Sequence, residues 1–184
     1  MLFSQKILKR LIRRLFILIR ISYFKFISDF HLKSKPKINA PTLMLGTGQV
    51  FIDDSATIGF INGPKFWNSY VHLEARQISS KIIIGKNTIL SNNVLLIAEK
   101  KTIKIGDNVK IGHNVQIYDS DFHSKNISER LKGNQGKQFS VELKKNCWIG
   151  CNCIILKGVT IGENAIIGAG NIIRKNVPDN SLII

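Results

Sequence analysis

The chain is short of acids. Its 184 residues hold 12 Asp and Glu against 27 Lys and Arg, a formal net charge of +15. An imbalance of that size points to an anionic partner: phospholipid, nucleic acid, a phosphorylated cofactor or an acidic glycan. Cysteine is scarce as well. The three present, Cys147, Cys151 and Cys153, fall in one short stretch. They make no secreted disulfide framework, and the cluster has too few ligands for a zinc site. A long apolar run is also missing from the basic N-terminal region. The longest there, Leu15 to Ile19, falls far short of the roughly 20 residues that cross a bilayer. Without a longer apolar core and a small-residue cleavage site it is no signal peptide either. The chain is nevertheless 44% hydrophobic, enough for a core, and its length suits one domain with an appendage.

What is there is a period. From Leu143 to Val177 the chain reads LKKNCW, IGCNCI, ILKGVT, IGENAI, IGAGNI, IRKNVP. Each block opens on an aliphatic residue: Leu143, Ile149, Ile155, Ile161, Ile167, Ile173. The fifth place is small or slim. Helices repeat near 3.6 and half-buried strands at two, so a sustained six fits neither. It fits a solenoid of short straight faces joined by turns, with the leading aliphatics stacked inward and Gly or Asn in the turns. By this reading Cys147 and Cys153 are inward packing residues, since free Cys behaves as a small hydrophobe.

The same six runs through Ile84 and Leu90, then Ile105, Ile111 and Ile117. A three-residue excess interrupts it between Leu96 and Lys104, and a polar stretch breaks it from Asp119 to Glu142. Solenoids throw such insertions out at one corner, and loops on rigid scaffolds tend to carry function. Residues 41–184 thus read as the solenoid, with an inserted loop at 119–142. Within it, Leu43 to Ile61 is only weakly strand-like. Phe60 to Arg76 is irregular and aromatic, suited to packing on the solenoid or to lining an acceptor site.

Residues 1–40 form a different unit, with ten basic residues and one acid. Lys6, Lys9, Arg10, Arg13 and Arg14 alternate with Leu8, Leu11, Ile12, Leu15, Leu18 and Ile19, the pattern of a basic amphipathic helix. Ser34 to Pro41, with two prolines, reads as a linker. The helix suits an anionic membrane surface, engaged by residues 1–30; packing on the solenoid or on a partner subunit is the alternative. Large aliphatics among the basic residues and the lack of a binding motif argue against nucleic acid.

The hexapeptide pattern resembles the hexapeptide-repeat acyltransferases, specifically the galactoside and maltose acetyltransferase branch and the O-acetyltransferases of polysaccharide clusters. The resemblance implies an all-β solenoid, a left-handed parallel β-helix with three hexapeptides to a coil. The hand comes from the family alone, since ordinary crossovers are right-handed. It also implies a homotrimer with the active site between subunits. The family places its catalytic histidine after an IGxNVxI coil, where IGHNVQIYDSDFHS puts His123. An acceptor hydroxyl needs a base as it attacks a thioester, and imidazole titrates in the right range. Asp121 is the candidate to orient His123, as an acid does in a triad, with Asp119 a weaker one; both also suit turns. His113 reads as a surface residue. Counted back from Ile105, Asn92 falls on the family asparagine that contacts the acceptor or the developing oxyanion.

The segment from Cys147 to Pro178 resembles the donor half of the family. By position, Trp148, Cys151, Ala169, Asn171, Arg174 and Lys175 border the pantetheine arm and phosphates of acetyl-CoA. Two departures stand out: Arg174 where relatives often carry Thr, and Ile184 where relatives continue into a basic tail that helps hold the nucleotide. The expected function is acetyl transfer from acetyl-CoA to a hydroxyl of a sugar or lipid-linked glycan precursor, without metal, at the cytoplasmic face of the membrane. The alternatives are a non-catalytic scaffold and N-acetyl transfer to an amino sugar. A carbonic anhydrase site would need three convergent histidines, and His31 and His72 lie far in sequence from His113 and His123.

Overall fold

The computed structural model describes residues 2–30, 32–133 and 136–184; His31 lies outside them. The described residues contain one long helix, α1 (Leu2–Phe26), a short one, α2 (Ile127–Leu131), and strands of two to five residues. Every strand pairs in parallel with its equivalent in the next coil, and three stacked sheets result. The first sheet runs from Lys37–Ile38 through Thr57–Ile58, Ile89–Leu90, Lys110–Ile111, Trp148–Ile149 and Ile166–Ile167 to Leu182–Ile183. The second runs from Thr42–Leu45 to Ile172–Ile173, and the third from Gln49–Ile52 to Thr160–Ile161. This is the parallel β-helix expected from the repeat, with the left hand that the family resemblance implies.

The register follows the six. Ile111 pairs with Ile149, Ile149 with Ile167, and Ile155 with Ile173. All these aliphatics are buried in one continuous core, each burial contributing roughly 1.5–3 kcal/mol. Cys147 and Cys153 fill fifth places inside that core. Burial pushes the Cys147 thiol up to about 11 and raises that of Cys153.

The corners are built from asparagine. Asn87, Asn108, Asn146, Asn164 and Asn180 all have φ between 53° and 62°, the left-handed region that Asn enters more readily than other residues with a Cβ. They stack at the corner between third and first sheets. Each side-chain amide donates to the next carbonyl, from Asn87 to Asn108 (3.3 Å) and on to Asn180 (2.9 Å from Asn164). A second ladder, Asn93 to Asn114 to Asn152, runs up the corner between first and second sheets. The excess between Leu96 and Lys104 is a turn whose three N–H groups, from Glu99, Lys100 and Lys101, donate to the buried Asp119 carboxylate. Asp119 is therefore a structural cap rather than a partner of His123.

One expectation needs correction. Coiling begins at Lys37, inside the stretch read as linker, because Lys37–Ile38 pairs with Thr57–Ile58. The weak region after it is fully coiled: Met44, Ile52, Ala56 and Ile58 point inward, but longer turns between them dilute the period. The aromatic stretch is an insertion at the first corner, with Phe66 buried against Ile17 and Ala40. The Arg20 guanidinium donates to the carbonyls of Trp67 and Ser69, both at 2.7 Å, and the rings of Phe24 and Tyr70 lie 4.8 Å apart. The C-terminal half of α1 is thus docked on the solenoid.

Candidate functional site

The longest break in the repeat leaves from the corner between second and third sheets. Its two limbs return against each other: Ser120 bridges Gln138 in antiparallel fashion, the Asp121 N–H donates to the Lys137 carbonyl (3.1 Å), and the Phe139 N–H to that of Asp119 (2.8 Å). Gly136 is required by this contact, since a Cβ there would overlap the His123 carbonyl oxygen. The loop tip carries α2, capped by the Asn126 side chain, which accepts from the Glu129 N–H. Ile127 and Leu131 on α2 face solvent.

His123 is exposed. The residue before it, Phe122, has φ 60°, a costly conformation for a bulky side chain. Its ring is clamped on two sides. Tyr118 meets it edge-on at 5.5 Å, and the Arg76 guanidinium lies over it at 5.1 Å, an arrangement that attracts a cation to the ring face. Arg76 is itself held, donating from Nε to Glu74 (2.9 Å) and from Nη1 to Glu99 (2.9 Å). Burial alone would raise the Glu74 carboxyl, but hydrogen bonds from Arg76 and His72 outweigh it and the net shift is downward. Burial would likewise lower Arg76, yet its two carboxylate partners carry it upward. A rigid ionic platform thus supports the strained residue next to His123.

The other expected site residues divide into groups. Asp121 does not bond to the His123 imidazole; its Oδ1 takes a 2.7 Å hydrogen bond from the Lys157 ammonium. Its Oδ2 is buried without a hydrogen-bond partner. The orienting role expected of Asp121 is absent in this arrangement because Lys157, one coil on, competes for the carboxylate. Asn92 is fully committed. Its Oδ1 accepts from the Phe60 N–H (3.0 Å), and its Nδ2 donates to the carbonyls of Phe60 (2.9 Å) and Pro64 (3.0 Å). Buried and saturated, it pins the aromatic insertion and has no donor left for an acceptor or an oxyanion.

The donor-side residues occupy two edges. Trp148 stands exposed on the outer face of the first sheet. Cys151 and Ala169 stack in successive coils at the following corner, where the Gly170 N–H donates to the Cys151 carbonyl. Asn171 is beside them, its amide donating to Gly168 O at 3.0 Å. Arg174 and Lys175 follow the last strand of the second sheet, at the far corner with Lys157. One face of the solenoid separates the groups, so a single chain does not close a site around all of them. Arg76, Phe122 and Lys157 escaped the sequence reading because their contacts join different coils and leave no trace in the period. His113 sits at the Cys151 corner, one coil earlier, and His72 on the outer face of the second sheet, bonded to Glu74 at 3.1 Å.

Comparison with known proteins agrees with this architecture. The bacterial transferase hexapeptide model (six repeats) matches residues 140–175. Galactoside O-acetyltransferase of Escherichia coli is 39% identical over 55% of this chain and 48% of its own length. The enzyme of the same name from Lactococcus lactis is 37% identical over 52% of this chain and 48% of its own. Among solved structures, a hexapeptide-repeat containing acetyltransferase from Vibrio cholerae superposes with a TM-score of 0.50 at 25% identity, covering 75% of this chain and 66% of that one. The chain spans about half the length of the curated relatives it matches. The resemblance to the hexapeptide-repeat acyltransferases, read first from the period, is borne out in family model, relatives and fold.

Proposed function

We propose that this hexapeptide-repeat chain is an acetyl-CoA-dependent O-acetyltransferase acting on a hydroxyl of a sugar or of a lipid-linked glycan precursor. One observation carries the reading: the longest break in the described solenoid presents an exposed histidine on a braced loop. His123 takes the proton from the acceptor hydroxyl as its oxygen attacks the thioester carbonyl. The carbon–sulfur bond then breaks, and the imidazolium returns the proton to the leaving thiolate. No thiol of the chain is needed, and burial keeps the Cys147 and Cys153 thiols protonated near neutrality. Trp148, Cys151, Ala169 and Asn171 on one edge, and Arg174 and Lys175 on another, are the donor-binding candidates. The face between them favours a homotrimer in which neighbouring copies complete each site.

In this reading α1 lies on the anionic cytoplasmic face of the membrane. No described helix is long and apolar enough to cross a bilayer, and the row Leu8, Leu11, Ile12, Leu15 and Ile19 is exposed, as an interfacial helix requires. The test is mass spectrometry of the glycolipid fraction incubated with acetyl-CoA and purified protein. An added acetyl ester that requires His123 supports the reading; CoA binding with no transfer to any glycolipid or free sugar contradicts it.

A further inference from the structure

A groove of about 820 Å³ separates the N-terminal half of α1 from the aromatic insertion. Arg10, Arg13 and Arg14 line one wall, and Asn62, Phe66 and Trp67 contribute to the other. The lining contains no acid, and none of the three arginines has an ion-pair partner among the described residues. Residues 10, 13, 14, 17, 20, 21 and 24 share one stripe of the helix, at spacings of three and four. Downstream, that stripe is the docked face, through Ile17, Arg20 and Phe24. Upstream, it is cationic and overhangs the groove. The opposite stripe, from Leu8 to Ile19, is apolar and exposed.

We propose that this groove holds the phosphate-bearing head of a single anionic lipid. The inference rests on the membrane reading above and makes it specific. A helix lying with its outer apolar face among acyl chains carries its opposite face about 10 Å higher, in the headgroup layer. The three arginines there offer planar, bidentate donors suited to phosphate. Trp67, partly exposed beside them, is the kind of amphipathic ring that settles at that depth. The volume falls within the range of small-molecule sites. The apolar floor provided by Ile17 and Ile21 separates such a ligand from a simple ion. Because Asn92 and Arg20 fix the insertion to both solenoid and helix, an occupied groove would hold the solenoid at a set orientation to the membrane.

The chain has two tryptophans, so Trp148→Phe leaves Trp67 as the sole reporter. Fluorescence titration of the full chain with dihexanoyl phosphatidylglycerol, below its micellar concentration, should saturate at one lipid per chain. Dihexanoyl phosphatidylcholine and inorganic phosphate should not match it. Arg10→Gln with Arg14→Gln should weaken binding about fivefold for each arginine removed, while circular dichroism stays unchanged. Equal saturation by inorganic phosphate, or indifference to the double substitution, overturns the proposal. If the short-chain lipid fails while anionic vesicles still sediment the protein, the groove is not a lipid site but the surface reading stands. If neither binds, both fall. If Leu11→Glu with Leu15→Glu dissolves an oligomer, and the wild type ignores vesicles, the apolar face joins copies of the chain and the proposal is wrong.

Discussion

Phe122 is the residue where local preference and structure disagree most. A left-handed conformation there costs of order 1–3 kcal/mol, and it persists because Arg76 and Tyr118 hold the ring. Phe122→Gly should therefore remove the strain without loss of fold, yet free His123 to wander. The expected outcome is a turnover reduced about tenfold or more, with unchanged CoA binding and an unfolding midpoint close to wild type, since relief of the strain offsets the lost ring contacts. Phe122→Leu should recover part of the rate. A Gly variant of full activity would show that the clamp has no positioning role. Cys147 offers a second test at this scale. Its thiol titrates at about 11 in the folded chain, above the ordinary range, so the unfolded chain loses the proton first. The stability contributed by the buried thiol is complete below the ordinary thiol range and drains away as pH climbs towards 11. Denaturation midpoints should fall over that interval in the wild type, and less steeply in Cys147→Ala.

Among elements, the coil corners depend on their asparagine columns. Asn146 combines a φ of 62° with side-chain bonds to Asn108 and Asn164. Asn146→Ala should cost about 2–3 kcal/mol, from two lost bonds and the left-handed backbone; Asn146→Gly should cost less, because only the bonds go. Equal losses on urea denaturation would place the cost in the bonds alone. These corners were legible in the sequence, since Asn or Gly recurs where the six demands a turn, and so was the core from Ile84 onward. The early coils read only as weakly strand-like, because longer turns dilute the period. The docking of α1 was open because Arg20 and Phe24 meet residues some 47 positions away, and no local pattern records such a contact. At the candidate site, the corner loop that carries His123 was legible from the break in the period. The commitments of Asn92 and Asp121 were not, because each is decided by a neighbour on another coil or insertion, Phe60 and Pro64 for one and Lys157 for the other.

At the scale of the whole molecule, donor-binding candidates on two edges and a braced histidine at one corner call for a second copy to close the site. Light scattering should give a trimer at micromolar concentration, and a stable, active monomer would contradict the shared site. The same arrangement separates the roles of its parts. His123 carries none of the stacked core, and of the donor candidates only Arg174 and Lys175 share its corner, so chemistry and donor binding should come apart on substitution. The most direct measurement is acetyl transfer by His123→Ala alongside calorimetric binding of CoA. The account predicts a kcat lowered by about 10²–10⁴ with CoA affinity and thermal midpoint close to wild type. Near-normal turnover in that variant would contradict it, and would move the base away from the 119–142 loop.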